Sequence, residues 1–181
     1  KQERTQALFI WTPHHDIIEK VEAKFGYTNY QHAEIEGDEV GTTFTNKMLE
    51  TRFDIYHQAV DQWKGAFTLH YKNSDFEAIG EEAFTPPSET SMLAIAWLEE
   101  KHFSDVLLQV GVRAENINIS AQSINHDVDF DQSFTPLSAS LGAVWSFSRG
   151  YNLGLSFAYS QRAPSAGEVL SNGPHIGTNT Y

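Results

Sequence analysis

The run YNLGLSFAYS, residues 151–160, places Tyr151, Leu153, Leu155, Phe157 and Tyr159 on one side of an extended chain. Asn152, Gly154, Ser156, Ala158 and Ser160 fall on the other. Successive Cβ atoms of a strand point to opposite faces, so strict period two predicts a strand with one apolar face. Residues 137–147, LSASLGAVWSF, repeat the pattern, with Leu137, Ala139, Leu141, Ala143, Trp145 and Phe147 on the apolar side. Ser148, Arg149 and Gly150 between the two runs predict a tight turn. Segments 105–115, 65–73, 49–59 and 20–28 alternate in the same way with more interruptions. Residues 90–99 are expected to form a strand apolar on both faces, and 6–12 the end of one more. A short helix over 93–102 is the competing reading there. Elsewhere glycines and β-branched residues inside the segments count against period 3.6.

The links between these segments alternate in length. Short ones are expected at 13–15, 61–64, 100–104 and 148–150, and long ones at 33–41, 78–89, 119–134 and after Arg162. Such asymmetry puts tight turns at one end of a sheet and long loops at the other, the layout of an outer-membrane barrel. Strands of about 9–11 residues match the tilted length that crosses a bilayer. A soluble sandwich or lipocalin-like sheet alternates too. Charged residues at strand centres on the polar face (Glu22, Lys24, Arg52, Asp54, Arg113) suit a wet lumen and are expected to pair across strands. Aromatics toward segment ends (Tyr27, Trp63, Tyr71, Trp97, Trp145, Tyr151, Tyr159) suit the girdles at the two lipid–water interfaces. The expected fold is therefore all-β: an antiparallel up-and-down transmembrane β-barrel, of which residues 1–181 form a slice of about 7–8 strands. Such a slice leaves two unpaired edges.

Composition removes several function classes. A net charge of -12 and a pI near 4.9 oppose nucleic-acid binding, which needs a basic footprint, and suit a surface that meets cations. The chain has no cysteine, which excludes thiolate metal sites and disulfides. No apolar run approaches the roughly 18 residues of a membrane helix. The chain opens on Lys1, so it reads as a processed or excised piece. No enzyme is indicated: Ser165 has no nucleophile elbow and no His–acid pair placed to activate it.

Three stretches carry a family resemblance. The first is SFAYSQRAPSAGEVLSNGPHIGTNTY, with Arg162-Ala163-Pro164-Ser165, Glu168-Val169-Leu170, Gly173-Pro174-His175 and Gly177-Thr178-Asn179-Thr180. The others are YTNYQHAEIEGDEVGTTFTNK at 27–47 and IGEEAFTPPSET at 79–90. Together they resemble TonB-dependent outer-membrane receptors, and 27–47 is similar to the zinc-uptake branch. The resemblance implies a 22-strand barrel around an N-terminal plug, with neither plug nor TonB-contacting box in this chain. It implies the bacterial outer membrane as location, with the TonB protein, outer-membrane lipid and a metal or metal-chelate ligand as partners. It implies import of a scarce nutrient such as zinc, and no required cofactor. Alternatives are a haem or ferric-siderophore receptor of the same family, a passive porin, and a soluble β-sheet ligand-binding domain.

Acids and histidines gather in the expected long links. His32, Glu34 and Glu36 alternate, so in an extended chain they share a face, and imidazole with carboxylate suits zinc. His175 from another link could complete such a set. Glu77, Glu81, Glu82 and Glu89, then His126, Asp127, Asp129 and Asp131, and finally Glu168, are further acids and imidazoles of the links. The competing reading is an ordinary solvated acidic loop. Asp127, Asp129 and Asp131 lack the glycine and terminal glutamate of an EF-hand. His14 and His15 are expected to be exposed in a turn.

Overall fold

The computed structural model describes residues 1–80, 83, 85–121 and 129–170. Nine strands follow in chain order: β1 (Gln2–Trp11), β2 (Ile18–Glu36), β3 (Glu39–Val60), β4 (Trp63–Gly80), β5 (Ser88–Phe103), β6 (Val106–Ala121), β7 (Phe130–Phe134), β8 (Leu137–Ser148) and β9 (Tyr151–Ser160). One short helix, α1 (Ala166–Leu170), comes after them. All pairings are antiparallel, in the order β1-β2-β3-β4-β5-β6-β8-β9, with β7 paired to β6.

β7 and β8 lie along the same neighbour. β6 pairs Ile117 with Phe134 of β7 and Ala114 with Leu137 of β8. Between them Pro136 has no N–H to give, but its carbonyl accepts the Glu115 amide at 3.1 Å. The sheet is therefore eight strand positions wide, and among the described residues β1 and β9 do not pair with each other. An unclosed up-and-down sheet fits a part of a larger barrel.

The short links form where expected. Asp61 and Gln62 both take positive φ (48° and 68°), the conformation of a two-residue type I′ hairpin. Ser104 (49°) and Gly150 (84°) supply the left-handed residue of the next two turns. His14 and His15 are exposed, and His15 Nδ1 accepts the amides of Ile17 and Ile18 at 3.1 and 3.2 Å.

The long links are shorter than their sequence suggests. The expected link at 33–41 is a tight hairpin: β2 runs to Glu36, which pairs with Glu39, and Gly37 turns at φ 63°. β4 continues to Gly80 and β6 to Ala121. Burial still alternates in these extensions: on β4, Phe76 and Ala78 are covered while Asp75, Glu77 and Ile79 are exposed. The exposed positions mix polar with apolar residues, so the extensions show no clean period in sequence. Ladder hydrogen bonds and β-branched residues such as Thr42, Thr43 and Thr45 hold them extended. The helix reading of 93–102 is overturned: these residues lie within β5, paired on both sides.

Register separates the faces. One row crosses the whole sheet as Trp11, Val21, Ile55, Phe67, Trp97, Val112, Ala139 and Tyr159. The adjacent row, on the opposite face, reads Ile10, Glu22, Asp54, Thr68, Ala96, Arg113, Ser138 and Ser160. Buried apolar side chains are few and mostly small (Ala78, Ala94, Ile119, Ala121), whereas Phe9, Trp11, Trp145 and Phe157 stand more than half or about half exposed. No second layer of described residues covers the apolar face, which a soluble sheet would require. On β9 the apolar face runs from Tyr151 to Tyr159. That is about 27 Å along the strand and about 21 Å in height at a tilt of about 40°, close to a bilayer's apolar band.

Candidate functional site

The face opposite the apolar rows carries the polar chemistry. At its centre Asp54, almost wholly buried, accepts hydrogen bonds from Arg52 Nε (2.8 Å), Thr68 Oγ1 (2.7 Å) and Lys24 Nζ (3.1 Å). Lys24 also reaches Glu22 at 3.0 Å, and Lys20 reaches the same carboxylate at 2.8 Å. Farther across, Glu50 meets His70 Nε2 at 2.8 Å, and Arg113 pairs with Glu115 while its guanidinium lies 3.5 Å from His70 Nδ1. The polar belt thus runs over β2, β3, β4 and β6, with Arg113 reaching His70 past the small inward residues Ala94 and Ala96 of β5. The expected cross-strand charge pairing holds for Lys24 with Asp54 alone; Glu22, Arg52 and Arg113 find their charge partners two residues away on their own strands. Glu50, Thr68, His70 and Glu115 were missed as partners, although their alternation with apolar residues places them on the same face.

Beyond the apolar band, where the strands extend toward the β2–β3 hairpin, this face becomes aromatic. Register sets His32 opposite Phe44 and Glu34 opposite Thr42. The His32 ring stacks on Phe44 with centroids 4.7 Å apart and planes 8° apart. Tyr30 flanks His32 at 5.4 Å, and Phe76 of β4 flanks Phe44 at 6.5 Å. The rings make a ladder across three strands.

His32 and Glu34 therefore do share a face, as their spacing predicts, but on a strand rather than in a loop. Glu36 closes the hairpin through its backbone; its side chain lies outside the described residues, as does His175. Glu81, Glu82, His126 and Asp127 lie outside them as well. Among the described residues, no group of three or more His, Asp or Glu side chains is arranged to hold a metal ion.

The segment after β9 folds on itself. Arg162 meets both carboxylate oxygens of Glu168, 2.7 Å at each. The Ser165 amide donates to Glu168 Oε2 at 2.8 Å, and the Glu168 amide donates to Ser165 Oγ at 3.3 Å, a capping box at the start of α1. The Arg162 guanidinium, aided by the Ser165 amide, lowers the Glu168 carboxyl from 4.5 to about 2.

An antiparallel sheet with an apolar outer face, aromatic margins and a polar inner face defines the wall of an outer-membrane-type β-barrel. The family described as TonB dependent receptor-like, beta-barrel matches residues 6–181, and the chain belongs to it. Its members are transporters, so the chain is part of an outer-membrane, TonB-dependent transporter. Membership implies a bacterial outer-membrane location, with TonB and a transported ligand as partners in general terms.

Proposed function

We propose that this wall serves the import of a scarce metal in chelated form, of the haem or ferric-siderophore class. The carrying observation is the ladder Tyr30, His32, Phe44 and Phe76 on the inner face. Ring faces bind flat, conjugated ligands through stacking and dispersion. An imidazole at the ladder's centre adds a metal-seeking nitrogen.

A bare zinc ion is the second reading, favoured by His32 and Glu34 sharing one face. Zinc asks for three or four converging donors. That reading therefore draws on Glu36 and His175, which lie outside the described residues.

Titration of the full-length receptor with zinc, haem and a ferric catecholate, followed by quenching of intrinsic fluorescence, separates the two. Chelate binding is expected to weaken about fivefold in Phe44→Ala, since one aromatic contact contributes about 1 kcal/mol. Zinc binding that is lost in His32→Ala but unchanged in Phe44→Ala would overturn the chelate reading.

A further inference from the structure

Two charged residues, Glu99 and Lys101, interrupt the apolar outer face near the short-turn end of the sheet, and a third, Asp61, lies in the adjoining turn. Register pairs Glu99 with Gly65 and Val110, and Lys101 with Trp63 and Leu108, so both point outward with the apolar rows. A Cβ at Gly65 would lie 2.6 Å from the Glu99 carboxyl carbon. The bare backbone there lets Glu99 lie flat across β4 and reach His57 Nε2 on β3 at 2.8 Å. Trp97 Nε1–H donates to the same oxygen, Oε1, at 2.8 Å. The other oxygen, Oε2, is buried and has no partner among the described residues, on a side chain only 8% exposed.

Lys101 stands one outward position closer to the turn. Its ammonium bonds Asp61 Oδ2 at 2.9 Å and lies 5.5 and 5.1 Å from the ring centroids of Trp63 and Phe103. Trp63 and Phe103 pack edge to face at 6.4 Å, an aromatic margin at the depth of lipid headgroups. Charges in such a wall persist where a partner is available. Glu99, Lys101 and Asp61 set one base between two acids, with Glu99 Oε2 left unpartnered among the described residues, an arrangement that suits a headgroup bringing a cation beside its phosphate.

We propose that Glu99, Lys101 and Asp61 form a seat for a membrane phospholipid whose headgroup carries a primary ammonium beside its phosphate. The phosphate accepts from Lys101. The ammonium donates to Glu99 Oε2 and replaces Lys101 as the partner of Asp61. The acyl chains lie along the outward apolar rows. The seat rests on the reading that this face meets lipid.

The test uses the full-length receptor in bilayer discs holding equal amounts of ethanolamine, choline and glycerol phospholipids. Lipids retained after extraction are counted by native mass spectrometry. The expected result is several-fold enrichment of the ethanolamine lipid, since choline's quaternary ammonium has no N–H to donate. Glu99→Gln and Lys101→Gln are each expected to abolish the enrichment. Glu100→Gln, on the opposite face, should leave it unchanged. Equal retention of all three lipids, or preference for the anionic glycerol lipid, overturns the seat while leaving the membrane reading intact. A receptor that does not enter discs at all sinks both.

Discussion

Arg162 and Glu168 meet fork to fork, with both guanidinium–carboxylate contacts at 2.7 Å. The same carboxylate takes the Ser165 amide, so one acid ties the end of β9 to the first turn of α1. Glu168 is ionised in the folded segment down to about pH 2, against an ordinary value of 4.5. A depressed carboxyl contributes stability above its unfolded value and loses it as pH falls through the folded one. The segment should therefore stay ordered at neutral pH and open progressively from about pH 4.5 toward 2. Amide exchange of residues 162–170 in the full-length receptor checks this. Glu168→Gln should open the segment at neutral pH and flatten the pH dependence. Unchanged exchange in that variant would contradict the assignment.

Leu155 and Ser156 are neighbours in sequence and lie on opposite faces of β9. Leu155 sits midway between Tyr151 and Tyr159, at the centre of the apolar face. Leu155→Lys should destabilise folding into vesicles by about 2–4 kcal/mol, the cost of a cation at mid-bilayer. Ser156→Lys, facing the wet interior, should cost less than about 1 kcal/mol. Denaturant-dependent refolding into lipid vesicles measures both. Equal costs would mean that the face assignment is wrong.

Asp54 joins three strands through Lys24, Arg52 and Thr68. Its side chain is buried, but Lys24 and Arg52 are each nearly half exposed, so water screens much of their loss. Asp54→Ala should destabilise the barrel by about 1–3 kcal/mol, below the full cost of breaking a fully buried pair. Asp54→Asn keeps an acceptor for Thr68 and should cost less. Thermal unfolding of the full-length receptor in detergent, followed by heat-modifiable gel mobility, ranks the two variants.

Much of the sheet was readable from residue order. Alternation in 137–147 and 151–160 identifies two strands and their apolar face, and Ser148–Gly150 marks the turn joining them. The polar centres of 20–28 and 49–59 announce the inner belt. The strand extensions were not readable. Hydrophobic period reports faces sorted by polarity, and in these extensions the buried positions hold small or polar residues (Thr42, Ala78) while exposed ones mix Glu77 with Ile79. His32 and Glu34 were legible as a pair because strand spacing is local. The stacking of His32 on Phe44 was not, because it depends on where the β2–β3 hairpin turns.

The sequence by itself determined which residues face lipid and which face water in the strands with a clean period of two, β8 and β9 above all. Only the tertiary structure decided which polar groups meet. Contacts such as His57 with Glu99, separated by 42 residues, follow from register and from the missing side chain of Gly65 on the strand between them. Register is set by turn geometry and ladder hydrogen bonding summed over the sheet, and no single segment contains it.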